Sequence, residues 1–433
     1  MGSRALLRGG LLYAARVSYG ALLLAASIII ARLYGPYGLG VYALLLTLTN
    51  LGGILGVFGM NTLLLERLPR LRMRADADRA VGAYLRSLLG VVTLTGALAT
   101  TLCALVAWYI VPELFWASGT VMFMAWSTLF LSFLVSEHRQ VMAASLESVL
   151  RPALFVGLLV VMGFVLALDF TLVVNTALLG SLGVLALLAG MSALVLTRRY
   201  RTRAVSPGSV HPASSSQHVG ASVLGRDSLG HGFIYMVTAL LTAAGQQLDR
   251  FVIELLATTE AVGVYSSTQN VMNIVTYAML ALMSLLLPAI AEWQAGSLPT
   301  EDFVRRCRLM SRALTALALA VVVVCVFGGD LLLSVFGPEF VAGRDALVVL
   351  AVGQVVTAAL GVATTVLSIG DHRLVALWIT AGSVVLNIVL CFLLIPIGGI
   401  TGAAVATAVS QSSNRLAGHL YLKRRLGVSV TAW

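Results

Sequence analysis

Charged side chains are scarce in this chain. They make up 11% of its 433 residues, against roughly 25% in a soluble domain, while hydrophobic residues reach 59%. A soluble protein of this length needs far more polar surface, so the composition points to a polytopic membrane protein. Lysine is almost missing: Lys423 is the single one, and the net charge of +10 rests on arginine. A Gly-rich phosphate loop needs its lysine beside the glycines, so direct ATP use is not expected. Cysteine is sparse too. Cys103, Cys325 and Cys391 lie in apolar runs and Cys307 in a basic loop, which offers neither a disulfide framework nor metal-ligand spacing. No Ser/His/Asp constellation stands out. No catalytic residue, metal ligand or cofactor is therefore assigned.

What the chain has in abundance is apolar runs. Those long enough to cross a hydrocarbon core, at about 20 residues each, lie near 9–33, 40–65, 83–110, 117–136, 141–168 and 171–197. A second set follows near 231–257, 261–290, 309–327, 345–369, 373–395 and 399–422. The expected fold is all-α, with about twelve transmembrane helices. The first run has the length of a span rather than of a signal-peptide core, and is expected to be retained. Between the sets lies the one long polar stretch, 198–229, "RRYRTRAVSPGSVHPASSSQHVGASVLGRD". Its Ser, Pro, Gly and His content suits a flexible linker. It separates an N-terminal six-helix lobe, 1–197, from a C-terminal one, 230–425.

Arginine placement sets the orientation. With the N-terminus inside, the inner segments hold Arg4, Arg8, Arg67, Arg70, Arg72, Arg74, Arg79 and Arg139. They continue with Arg198, Arg199, Arg201, Arg203, Arg305, Arg306, Arg308, Arg373, Lys423, Arg424 and Arg425. The outer segments hold Arg32 and Arg344 at their margins. By the positive-inside rule both termini are expected in the cytoplasm, with the protein in the cytoplasmic membrane. The basic balance then serves topology and contact with anionic lipids, and no nucleic-acid partner is expected.

One phrase occurs twice. "GVYALLLTLTN" at 40–50 opens the second run, and "GVYSSTQNVMN" at 263–273 opens its counterpart in the second half. "EHR" at 137–139 and "DHR" at 371–373 fall at matching inner turns. Two six-helix lobes of the same topology, around a central cavity, form a transporter architecture that works by alternating access.

Further stretches carry a family resemblance. "ARLYGPYGLGVYALLLTLTNLGGILGVFGMN" at 31–61 resembles the first hairpin of polysaccharide and lipid-linked oligosaccharide flippases of the multidrug/oligosaccharidyl-lipid/polysaccharide (MOP) exporter superfamily. The resemblance to this family extends to "QQLDRFVIELLATTEAVGVYSSTQNV" at 246–271, "LLLSVFGPEFVAG" at 331–343 and "IGGITGAAVATAVSQ" at 397–411. The resemblance implies a flippase of twelve to fourteen helices that moves polyprenyl-diphosphate-linked sugars to the outer leaflet.

A charge inside the hydrocarbon costs roughly 2.5–3.5 kcal/mol on insertion scales, and such charges usually face a cavity or a partner. The apolar runs contain Arg16, Glu147, Arg151, Asp249, Arg250 and Glu254, with Gln246 and Gln247 one turn before Asp249. Structural roles exist for each. Arg16 and Arg151 can snorkel to headgroups, Glu147 and Arg151 have the spacing of a surface pair, and Arg250 and Glu254 can neutralise one another. The functional alternative rests on asymmetry: Asp249 and Arg250 answer to Ala26 and Ser27 in the repeat, so only one half carries the charges. Arginine suits a diphosphate through bidentate hydrogen bonds. Arg16 and Arg250 are thus candidate headgroup ligands, with Arg151 a third. Asp249 would hold Arg250 or bind a coupling cation. Ser266, Gln269, Asn270 and Asn273 share one helical face, suited either to a sugar headgroup or to interhelical hydrogen bonds.

The expected function is flipping of a polyprenyl-diphosphate-linked oligosaccharide, with this lipid-linked glycan and membrane lipids as partners. The alternative on the same fold is a cation-coupled drug or metabolite exporter. A glycan polymerase or ligase would need a sizeable outer loop, and the outer loops here are short. A facilitator of the other large six-plus-six superfamily would need a Gly-Asp-Arg-rich turn where this chain has "ERLPRLRMRADADR".

Overall fold

The computed structural model describes residues 2–433 except 73–76, 111, 113–114, 166–169, 204–225, 285, 295, 369–371, 428–430 and 432–433. Among the described residues there are helices and turns and no strand. In lipid the backbone must satisfy its own polar groups, and a helix does so within one segment. The helices are α1 (Gly2–Val57), α2 (Met60–Arg72), α3 (Ala77–Ile110), α4 (Gly119–Ser136), α5 (Gln140–Ser145), α6 (Arg151–Val160) and α7 (Phe170–Arg203). They continue with α8 (Arg226–Leu256), α9 (Thr259–Ser284), α10 (Leu287–Gln294), α11 (Thr300–Ser334), α12 (Arg344–Ala359), α13 (Ala363–Ser368) and α14 (Arg373–Leu426). Nine helices among the described residues are long and apolar enough to cross a membrane. Two of those nine consist of two limbs each. α1 bends at Gly35 (φ 66°), directly before Pro36, and α14 bends at Gly399 (φ 54°). Positive φ there suits glycine, and Pro36 gives up an N–H that a new first turn would leave unpaired anyway.

Several runs that the sequence presents as continuous are broken. The run at 40–65 turns at Phe58 and Gly59, both at positive φ, before α2 begins. The run at 345–369 is split between α12 and α13 by Leu360–Val362, with Gly361 at φ 85°. Pro288 lies in the first turn of α10, a position that tolerates its missing N–H. Around Pro152 the helix widens into a π-turn, Leu146–Leu150, and a second π-turn follows at Val161–Val165. Most of the 198–229 linker lies outside the described residues: α7 runs on to Arg203, and α8 starts at Arg226.

The chain divides by its contacts into two compact units. One comprises Met1–Leu22 and Leu45–Leu240, the other Leu23–Leu44 and Leu241–Trp433. The lobes drawn from the sequence divide the chain by span count, whereas these units divide it by packing.

The first unit packs α2, α3, α4 and α7 around Met60, Leu64, Tyr84, Leu88, Leu129, Phe133 and Leu185. The start of α8 docks on α2 in this unit. Tyr235 donates to Glu66 Oε1 at 2.5 Å and Arg67 donates to Ser228 Oγ at 2.7 Å. At the far end of α2, Arg72 pairs with Glu137 and bonds the Ser136 carbonyl at 2.9 Å.

The second unit packs α11, α12, α13 and α14 around Phe303, Cys307, Leu314, Ala358, Val366 and Leu422. The bent hairpin of α1 docks here. Arg32 caps the end of α11 with two 2.8 Å bonds, to the carbonyls of Ser334 and Val335. The two glycines that head the repeated phrase meet backbone to backbone. A Cβ on Gly40 would lie 2.0 Å from the Thr259 carbonyl oxygen, and one on Gly263 would lie 1.9 Å from that of Pro36.

Large apolar side chains stand exposed in stripes. Leu94, Leu98, Leu102 and Leu105 form one on α3, and Val324, Phe327 and Leu331 another on α11. Contiguous apolar surface of this kind suits lipid rather than water.

The Gly40–Gly263 approach yields a test. Gly263→Ala is expected to cost about 1–3 kcal/mol through overpacking and to lower the melting temperature of the purified protein. Gly82→Ala, where an added Cβ meets nothing within 4 Å, is the control, expected to stay within about 0.5 kcal/mol of the parent.

Candidate functional site

The most polar buried point in the second unit is the carboxylate of Asp249 on α8, 3% exposed. Helical spacing puts Gln246, Asp249 and Arg250 on one face of α8, at i, i+3 and i+4. On α9 the same spacing brings Tyr265 and Gln269 together. Tyr265 donates its hydroxyl to Asp249 Oδ2 at 2.7 Å, and Gln269 Nε2 donates to the same oxygen at 2.8 Å. Thr407, from the second limb of α14, adds a longer bond at 3.4 Å. The other oxygen, Oδ1, accepts the backbone N–H of Arg250 at 3.0 Å. An ionised carboxylate accepts only, and here both oxygens are engaged by donors.

The second layer fixes the first. Asn387, on the first limb of α14, donates to Thr407 Oγ1 at 3.4 Å and to Ser410 Oγ at 3.2 Å. Gln269 turns its Oε1 to Arg250 Nη2 at 3.3 Å, so one amide bridges the acid and the guanidinium. Acid, base, amide and hydroxyls thus form one network across α8, α9 and both limbs of α14. Its chemistry suits two tasks: holding an anionic or hydroxyl-rich group beside Arg250, or exchanging a cation at Asp249.

Of the residues expected to form a site, Asp249, Arg250 and Gln269 come together. Gln246 is exposed one turn earlier on α8. Asn270 and Asn273 are half-buried on α9 and take part in none of the described hydrogen bonds. Ser266, on the same face, is buried with its hydroxyl unpartnered. Arg151 belongs to the first unit, where its Nη1 lies 3.8 Å from Met124 Sδ. Arg16 lies on α1, and its side chain falls outside the described residues.

Two of the structural roles are not adopted. Glu147 is exposed and forms no ion pair with Arg151; the π-turn around Pro152 separates the two from ordinary helical geometry. Glu254 does not pair with Arg250. It accepts the Thr259 hydroxyl at 2.8 Å, and its second oxygen is buried without a partner.

Tyr265, Thr407, Asn387 and Arg415 were not singled out by the sequence. For Tyr265 a signal existed, since it is the tyrosine of the repeated Gly-Val-Tyr. For Thr407 and Asn387 there was none, because threonine and asparagine in apolar runs are common and only folding brings these two to Asp249.

A helical membrane protein with paired bends and a buried polar network has the fold of the MOP-superfamily transporters. A multidrug resistance MATE family transporter of the MOP superfamily, in an inward-facing conformation, superposes with a TM-score of 0.68 at 16% identity, covering 94% of each chain. The lipid II flippase MurJ, in an inward closed conformation, matches with a TM-score of 0.68 at 12% identity, covering 96% of this chain and 87% of that one. Over residues 6–294 the sequence matches the family of polysaccharide biosynthesis proteins. The chain belongs to that family. It is also 28% identical over 179 residues to a probable low-salt glycan biosynthesis flippase, Agl15, of Haloferax volcanii. That match spans 40% of this chain and 37% of the relative.

The network predicts its own sensitivity. Tyr265→Phe deletes the shortest donor to a buried carboxylate and is expected to cost about 1.5–3 kcal/mol, read as a lower unfolding midpoint in detergent.

Proposed function

We propose that this protein flips a polyprenyl-diphosphate-linked oligosaccharide across the cytoplasmic membrane, both termini lying in the cytoplasm. One observation carries the proposal: Arg250 is held beside Asp249 and Gln269 on the polar face of α8 and α9. A guanidinium positioned by an amide is the side chain suited to a diphosphate, which it binds through parallel charge-assisted bonds. Asn270 and Asn273 extend the same face with amides suited to sugar hydroxyls. The polysaccharide family membership and the likeness to a glycan biosynthesis flippase support this cargo class.

Transport proceeds by alternating access, the headgroup moving through the protein while the prenyl tail stays in lipid. Two sets of contacts must part in turn. At the outer end Arg32 holds Ser334 and Val335; at the inner end α2 holds the start of α8 through Glu66–Tyr235 and Arg67–Ser228. The positive-inside distribution of arginine supports this assignment of the ends.

Asp249 supports a second element, a coupling cation. It lies buried beside the hydroxyls of Tyr265 and Thr407, and a carboxylate is the usual counter-charge for a cation inside a membrane. The same feature would serve a cation-coupled exporter of soluble compounds, the alternative on this fold.

Arg250→Ala is expected to abolish surface glycan export while the protein still inserts at normal levels. Full export by that variant would overturn the role of Arg250. Proton- or sodium-dependent efflux of a soluble cationic compound, lost in Asp249→Asn, would select the exporter instead. Access is tested by disulfide locks: Arg32→Cys with Ser334→Cys at one end, and Glu66→Cys with Tyr235→Cys at the other. Each oxidised pair is expected to stop export, with recovery on reduction, and export through either lock would overturn the alternation.

A further inference from the structure

A second cationic site lies on the second limb of α14, in residues the network above does not use. Arg415 stands within an apolar span and is half-buried. Its described bonds run from one nitrogen, Nη1, to two neutral hydroxyls: Thr364 Oγ1 at 2.9 Å and Thr365 Oγ1 at 3.5 Å. No carboxylate lies within ion-pair distance of it among the described residues. This contrasts with Arg72 and Arg344, each of which meets an acid. A guanidinium inside a membrane that is bonded only to hydroxyls meets no counter-charge, and three of its five donors have no described partner.

One turn further on the same face is His419, 8% exposed, whose Nδ1 is buried with no hydrogen-bond partner. Another turn on is Lys423, exposed at the end of the helix. The three cationic or protonatable side chains thus recur at i, i+4 and i+8, climbing about 12 Å from the helix end into the span. The local backbone is built to hold the hydroxyls there. α12 stops at Ala359, Gly361 takes φ 85°, and α13 restarts so that Thr364 and Thr365 face Arg415. Gly418 lets α13 approach: a Cβ there would lie 2.7 Å from Thr364 Cγ2.

Beside this polar stripe runs an apolar one. Val409, Leu416 and Leu420, at i, i+7 and i+11, are 43%, 44% and 41% exposed. An amphiphile with a phosphate head and a hydrocarbon tail matches both stripes at once.

We infer that Arg415, His419 and Thr364–Thr365 form a lipid-phosphate site, entered past Lys423, that receives the headgroup before Arg250 does. Fork geometry on Arg415 suits a phosphate or diphosphate, His419 Nδ1 offers a further polar contact, and the tail lies along Leu416 and Leu420. The inference rests on the flippase proposal for the identity of the cargo, but not for the phosphate chemistry. The occupant is either the polyprenyl diphosphate itself or a resident anionic phospholipid.

The test uses the full-length protein in nanodiscs of neutral lipid, with binding of polyprenyl diphosphate, of phosphatidylglycerol and of unphosphorylated polyprenol read by native mass spectrometry. Arg415→Gln is expected to weaken binding of a phosphate-bearing lipid about tenfold or more, as loss of a charge-assisted pair implies, and to leave polyprenol unchanged. Loss of the diphosphate lipid assigns the site to cargo. Loss of phosphatidylglycerol alone assigns it to a resident lipid; it supports the phosphate site and removes its place on the cargo route. If Arg415→Gln does not fold, Arg415→Lys, which keeps the charge without the fork, is expected to lose affinity for the diphosphate about threefold to tenfold. Unchanged affinity for both phosphate lipids in a folded variant overturns the site. Failure of the flippase proposal would be distinct: cation-dependent efflux of a soluble compound, lost in Asp249→Asn, would select the exporter whatever Arg415 binds.

Discussion

A carboxylate buried in the second unit sets the terms for the structure around it. Removing Asp249 from water carries a penalty of several kcal/mol unless charge and hydrogen bonds compensate. The compensation comes from near and far in the chain: the backbone N–H of Arg250 next to it, Tyr265 and Gln269 on α9, Thr407 on one limb of α14, and Asn387 behind Thr407 on the other limb. The bend of α14 at Gly399 brings its two limbs together, and tight packing of Gly402 against Leu394 closes the hairpin. The network therefore depends on backbone features well removed from it. A polar group that must be satisfied inside a membrane specifies packing more narrowly than any apolar pair.

Arginine follows two regimes. Near the span ends it meets acids or carbonyls, as Arg72, Arg306 and Arg344 do. Within the spans, Arg151 meets a sulfur, Arg250 an amide and Arg415 two hydroxyls. The first regime anchors helices. In the second, the described partners of Arg151 and Arg415 carry no charge, the condition that the proposed anionic cargo would need. A chain with a single lysine concentrates this work in the side chain that stays charged when buried and binds phosphate bidentately.

The repeat shows how much of this was readable in advance. Gly-Val-Tyr occurs at 40–42 and 263–265, and the paired glycines touch because neither has a Cβ. The tyrosines diverge: Tyr265 supports a carboxylate whose counterpart in the first half is Ala26. Asymmetry between the copies did point to Asp249 and Arg250. It did not point to Thr407, Asn387 or Arg415, whose roles come from helices joined only by folding. Likewise the pairs Glu147–Arg151 and Arg250–Glu254 had suitable spacing, yet a π-turn and a threonine redirected them.

The sequence by itself determined the class of protein, the helical architecture and the family, because burial in lipid demands long apolar runs and those are written in consecutive residues. It also marked where charge enters those runs. Only the tertiary structure decided which charges are satisfied, where spans bend or break, and which segment packs in which unit. Those outcomes turn on contacts between helices, where a glycine's missing Cβ or a threonine's hydroxyl acts on a partner more than a hundred residues away. Periodicity within one helix carries no record of that partner.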